Sequence, residues 1–258
     1  MNLINALPDT QDLADFLSTQ PNPKRLEKND KDVAFNFGDW YRIDSSNAYG
    51  ASMLSQTNNL GGWWSERISR MYGENYWLGR TPDRDGLQAV FTGKTGIKVW
   101  YDPGAFPRAW TVHQIIVAPN EWNGANMMNT GTFDLRTTAL TVQSKPSLDT
   151  CDAADKVTAI DDRTTTSLFV KVDMACRGLL VISDNFFPGW KAELDGNAVD
   201  IWKVNTAIRG VIVPAGRHTV TMNYRPLSVY FGFFLTLLGL AGAIVLQRRS
   251  ESVGPALL

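Results

Sequence analysis

The 258-residue chain is poor in the residues that most often carry chemistry, with two cysteines, two histidines and a formal net charge of −1. His113 and His218 are lone residues in strand-like patterns, and no Cys/His spacing suits zinc, so no metal site is expected. The near-zero charge supplies no basic field, which excludes nucleic acid and an acidic membrane surface as charge-driven partners. There is no GxSxG, no phosphate loop and no cysteine with a nucleophile's context, so no catalytic residue and no cofactor is assigned. The opening stretch MNLINALPDTQDLADFL has no basic n-region, no sustained apolar segment and no cleavage site, and does not read as a signal peptide.

What the chain does have is one long apolar run. Leu227 to Leu246 is twenty residues without a charge, twelve of them Leu, Ile, Val or Phe. At about 1.5 Å per residue such a helix crosses a hydrocarbon core of about 30 Å. Arg248 and Arg249 follow the run directly, whereas Arg225 is the one basic residue close before it. The positive-inside rule then puts 247–258 in the cytoplasm and 1–226 outside. Gly232, Thr236, Gly239 and Ala243 share one helical face, which admits close approach of another membrane helix. Exporting 1–226 without a signal peptide requires membrane helices upstream, in the same or a neighbouring polypeptide, so the chain is expected to be the last part of a longer polytopic protein. Cys151 and Cys176 are consistent with one disulfide outside the cytoplasm, closing a loop of about 25 residues and contributing roughly 3 kcal/mol.

The expected fold is an α+β external segment (1–130) followed by an antiparallel β-sandwich (131–226), one transmembrane helix (227–246) and a cytoplasmic tail (247–258). In the first part, Pro8 to Gln20 reads as a helix capped by Asp9 or Thr10 and stopped by Pro21 and Pro23, with Leu13, Phe16 and Leu17 as its apolar stripe. Lys24 to Glu27 reads as an edge strand, FNFGDWYRIDSSNAYGAS as ordered but irregular, Trp63 to Tyr72 as a helix and Tyr76 to Leu78 as a short strand. Gln88 to Thr92 and Ile97 to Tyr101 flank GKTG as a hairpin, Arg108 to Val117 is one strand, and Pro119 to Asn129 contains a short helix. Beyond Gly131 up to eight strands recur, at Thr137–Val142, Val157–Asp161, Ser167–Ala175, Leu179–Asn185, Trp190–Leu194, Val199–Asn205, Gly210–Val213 and His218–Tyr224. Alternation points Val170, Val172, Val220 and Met222 into the core, and Asp195-Gly196 fits a type I′ turn.

The series SDNFFPGWKAELDG, VN and AIRGVIVPAGRHTVTMNYRP, followed by a span, resembles the carboxy-terminal region of the YfhO family of bacterial polytopic membrane proteins. FPRAW, TFDLRTTA and the FNFGDWYRIDSSNAYGAS segment extend the resemblance over most of 10–246. This family is related to multi-span glycosyltransferases that use lipid-phosphate sugar donors. The resemblance implies a bacterial cell membrane, and an external domain that supports a membrane-embedded glycosyl-transfer site or guides an envelope glycan to it. Family members carry many helices before this region and their transfer residues are expected between them, so none is carried over here.

Several residues invite chemistry on their own. Asp83-Arg84-Asp85 resembles a two-aspartate metal motif but sits in a turn, and Asp161, Asp162 and Asp184 read as turn and strand-end residues rather than an acid–base pair. In the PGW turn, Trp190 either plugs the end of the sandwich or stands beside Phe186 and Phe187 as a stacking platform for a sugar or lipid headgroup. Arg225 suits a lipid phosphate, and Tyr224, Tyr230 and Trp190 suit an interfacial aromatic belt. A tethered glycan-binding module and a docking domain for a membrane partner are the other functional classes these features fit.

Overall fold

The structure, a computed structural model, describes residues 8–45, 59–60, 65–131, 133–142, 145–151 and 153–252. A 3₁₀ turn at Pro8–Thr10 leads into α1 (Gln11–Ser18), shorter at both ends than expected, whose Leu13, Ala14 and Leu17 are buried. β1 (Arg25–Lys28), α2 (Phe37–Tyr41), β2 (Asp44–Ser45), α3 (Glu66–Met71), β3 (Tyr76–Gly79), β4 (Gln88–Thr92) and β5 (Lys98–Tyr101) follow. They form one sheet in the order β2-β1-β3-β5-β4, with α1 and α2 contributing to the core beside it.

Two expectations fail in this unit. β1 is an inner strand, parallel to both β2 and β3. Its charged residues tolerate burial because each has a partner: Arg84 and Ser69 donate to Glu27, and Lys28 pairs with Asp30. The FNFGDWY segment is not irregular but forms α2, closed by Arg42 in the left-handed region while Ile43 N–H reaches back to Gly38 O. Trp63, Trp64 and 46–52 lie outside the described residues, and α3 covers the remainder of that expected helix.

The expected strand from Arg108 to Val117 is two strands, β6 (Ala109–Val112) and β7 (Gln114–Val117). The break falls at His113, whose ring is bound to Asp149 O and the Asp155 carboxylate, so the chain leaves one sheet and enters another. α4 (Glu121–Thr130) follows, capped by the Asn120 side chain and closed by Gly131. β7 then pairs in parallel with β8 (Thr138–Thr141).

The sandwich is built from β9 (Lys156–Thr164), β10 (Ser167–Met174), β11 (Gly178–Asn185), β12 (Trp190–Leu194), β13 (Asn197–Val199), β14 (Trp202–Val204), β15 (Ile208–Val213) and β16 (Gly216–Tyr224). One antiparallel sheet runs β13-β12-β16-β10-β9 and the facing one β14-β15-β11-β6. Val170, Val172, Val220 and Met222 meet Leu180, Ile182, Val211 and Val213 between them, as alternation requires. The expected strand Val199–Asn205 is divided between the two sheets, because Asp200 and Ile201 carry the chain across the open side of the sandwich. Asp195 and Gly196 both have positive φ, as a type I′ turn demands.

β11 is covered on both faces. Leu180 and Ile182 face the sandwich core, whereas Leu179 and Val181 join Trp110, Val112, Met71, Met128 and Leu140 in a second core under α3, α4 and β8. Its continuous apolar run GLLVIS suits a strand with no solvent face. α5 (Leu227–Ser252) leaves the sandwich directly after β16, and none of its apolar window is buried against the rest of the chain.

Candidate functional site

The sequence fragments FPGW and YRP, thirty-odd residues apart, meet where the sandwich hands over to α5. Trp190 and Tyr224 are ladder partners in β12 and β16, and Arg225 N–H donates to Gly189 O at 2.7 Å. Gly189 has φ +109°, and a Cβ there would lie 3.0 Å from the Tyr224 ring and 3.1 Å from Pro226 Cα. Only glycine fits this backbone and this approach.

Around that turn the structure gathers three rings: Tyr224 lies 5.4 Å from Trp190 and 6.2 Å from Phe187 between centroids. Phe187 is 41% exposed, whereas Trp190 packs on the sandwich core. Phe186 is half-buried and its N–H donates to Ala207 O. Arg225 is exposed and lines a groove of about 750 Å³ on the flank of the sandwich, with Lys191, Asp200 and Trp202 among the other lining residues.

Arg209 covers one face of Trp190, its guanidinium carbon 4.0 Å from the ring centroid. Arg209 is itself held by Asp184, with 3.2 Å between Nη2 and Oδ2. Arg108 meets the same carboxylate through Nη2 at 2.9 Å and Nε at 3.2 Å, and Arg25 of β1 closes a third ion pair. Arg25 also donates to Tyr72 O and to both oxygens of Ser183. Burial alone would raise the pKa of Asp184, but the three guanidinium groups outweigh it and hold it at about 2. Tyr72, whose hydroxyl donates to Asn185 Oδ1, has its pKa raised, chiefly by burial. Asp184 is therefore a fixed anion that ties the amino-terminal sheet to both β6 and β15.

Arg25, Arg108 and Arg209 were not singled out by the sequence patterns. A signal for one of them existed: Arg209 interrupts the apolar run IRGVIV, and a charge buried in a strand needs a buried counter-charge. Asp184, at the end of the apolar run of β11, supplies it.

The other candidates resolve into structural ties. Arg84 turns inward with a 6% exposed side chain, 2.7 Å from Glu27 and 3.0 Å from Asp83, so it ties the turn to β1, while Asp85 is exposed. Asp161 is exposed on β9, and the Asp162 side chain lies outside the described residues. His218 lies 2.6 Å from Asp195, which also accepts from Thr219 N–H, joining the PAGRH turn to the LDGN turn. Cys151 and Cys176 form a disulfide with Cα atoms 6.2 Å apart. His113 and these two sulfurs lie within 4.8 Å of one another, but the sulfurs are bonded to each other.

A β-sandwich locked to an apolar helix long enough to span a bilayer defines a membrane-associated domain. Residues 136–236 match the model of a family described as bacterial membrane protein YfhO. The chain thus carries a YfhO-family region, running from the start of β8 through the sandwich and into the first half of α5. A comparison with curated proteins found no match.

Proposed function

We propose that this chain is the carboxy-terminal extracytoplasmic domain and last membrane span of a YfhO-type protein, and that it supports glycosyl transfer in the bacterial cell envelope without itself being the catalyst. The observation that carries this reading is the junction within the YfhO-family region, where Gly189 packs on Tyr224 and Pro226 and leaves no linker between sandwich and span. A domain so joined holds a fixed pose over the bilayer and can present a surface to a reaction at the membrane face. Phe187 and Arg225, the exposed aromatic and cation at that end, are the groups to contact a lipid headgroup or lipid-linked sugar. The bilayer and the membrane helices of the upstream part are the partners in this reading. The disulfide suits an oxidising compartment and Arg248 with Arg249 a cytoplasmic tail, both in keeping with 1–226 outside.

The tethered glycan-binding module fits less well. Trp40 and Trp122 are strongly exposed, but they sit on α2 and α4, and among the described residues no row of tryptophans crosses a sandwich face. The test is done in the native host. The double variant Phe187→Ala, Arg225→Gln is expected to reach the membrane at normal levels while the sugar substituents on extracted envelope polymers fall, as read by mass spectrometry. Unchanged substitution would count against the supporting role. An impermeant maleimide should label Ala198→Cys in intact cells, and labelling only after lysis would overturn the orientation.

A further inference from the structure

At the other end of β11, roughly 23 Å from Asn185 at about 3.3 Å per residue, the disulfide has an unusual neighbour. His113 Nδ1 lies 3.7 Å from Cys176 Sγ and 3.0 Å from Asp149 O, while Nε2 lies 2.8 Å from Asp155 Oδ2. The Asp155 side chain is 4% exposed, and its other oxygen accepts from Ala175 N–H at 2.7 Å. Gly178 makes room for the ring, since a Cβ there would come within 2.7 Å of His113 Cε1. A cystine needs none of this to serve as a cross-link. Sulfur, imidazole and buried carboxylate in this order are the arrangement that stabilises a thiolate.

We propose that Cys151–Cys176 is a thiol–disulfide exchange site for a dithiol protein, in which Cys151 is the sulfur attacked and Cys176 the sulfur that leaves. A thiolate of the partner attacks Cys151 Sγ along the disulfide axis and forms a mixed disulfide. The bond between the two cysteines breaks, and its electron pair departs on Cys176 Sγ. In this step the His113 ring carries a proton on each nitrogen: Nδ1–H, shared with Asp149 O, gives its proton to that sulfur and is restored from solvent, and Asp155 holds the ring through Nε2–H. The partner's second thiolate next attacks its own sulfur in the mixed disulfide and releases Cys151, which takes a proton from solvent. The partner is oxidised from dithiol to disulfide, and the cystine gains two electrons and two protons. His113 sets the direction because the better-stabilised thiolate is the better leaving group. Asp155 is a positioning residue, since it acts through the ring.

The test uses the full chain in detergent micelles, with reduced glutathione as the probe thiol, N-ethylmaleimide as the quench, and peptide mass spectrometry. The expected product carries glutathione on Cys151 and the maleimide on Cys176. His113→Gln is expected to slow the reaction by about tenfold and to divide glutathione between the two sulfurs. Asp155→Asn keeps an acceptor for Nε2–H, and should slow exchange less and keep the preference for Cys151. Glutathione on Cys176 in the unsubstituted chain, or an equal division between the sulfurs, would overturn the proposal. So would an unchanged rate in a His113→Gln protein with a native circular dichroism spectrum. If that variant does not fold, the regioselectivity of the unsubstituted chain and the rate of Asp155→Asn decide.

Discussion

Arg209 lies with its guanidinium carbon 4.0 Å over Trp190 and is fixed there by the carboxylate of Asp184. The tryptophan beside the membrane junction is thus positioned by a charge whose other partners are Arg25 of β1 and Arg108, the residue just before β6. Removing the anion affects all three.

Asp184→Asn should be among the most destabilising changes in the part of the chain that precedes α5. It leaves three guanidinium groups around a neutral amide, and losing one partner of a buried ion pair costs about 3–5 kcal/mol. Urea unfolding followed by tryptophan fluorescence measures it, and a loss below about 1 kcal/mol would show that the cluster is solvated rather than buried.

The same residue sets an acid limb. Its folded pKa of about 2 is below the ordinary value of 3.8, so its contribution is full above about pH 4 and is lost as pH falls toward 2. His218 runs the other way. Its pKa is raised mainly by the hydrogen bond to Asp195, so its contribution is full below its ordinary value of 6.5 and is lost as pH rises through the higher folded value. Melting temperature should therefore drop at both ends, with Asp184→Asn flattening the acid side and His218→Gln the other. Parallel curves for Asp184→Asn and the unsubstituted protein below pH 4 would contradict the assignment.

Gly189→Ala should loosen the sandwich from the span. The added Cβ meets Tyr224 and Pro226 at positive φ, a combination worth about 1–3 kcal/mol of strain. The informative readout is hydrogen exchange at the Arg225 amide, which donates to Gly189 O, and its protection should fall while that of β11 is kept.

Trp190→Ala and Phe187→Ala separate packing from surface. The first removes a ring that packs on the core and under Arg209, at a cost of about 3–5 kcal/mol; the second removes an exposed ring and should stay within about 0.5 kcal/mol. Thermal melts of both variants check the contrast, and equal destabilisation would mean that Phe187 is part of the core.

Where local chemistry decides structure, the sequence was legible. The β4–β5 hairpin, the Asp195-Gly196 turn, the bounds of β12 and the inward residues of β10 and β16 all follow from turn chemistry and alternation. The long-range pairings were not. Nothing near Arg25 marks it as the partner of a carboxylate 159 positions away, and nothing in AWTVHQIIV marks His113 as the point where one apolar run is shared between two sheets. β1 looked like an edge because its charges were visible and their partners, Arg84 and Asp30, were not. At the site, the motif fragments were legible as turns, whereas the Arg209–Asp184 tie that joins them required the fold.

Synthesis order adds a timing problem. Arg25 leaves the ribosome 159 residues before Asp184, which at about 5–20 residues per second is a delay of roughly 8–32 s. An amino-terminal sheet that forms within that interval carries Arg25 without its carboxylate, and β6 is without the strand that covers it. Quality-control proteases and holdases meet the chain in that half-assembled form, so variants that lengthen the wait should lower abundance more than their equilibrium stability implies.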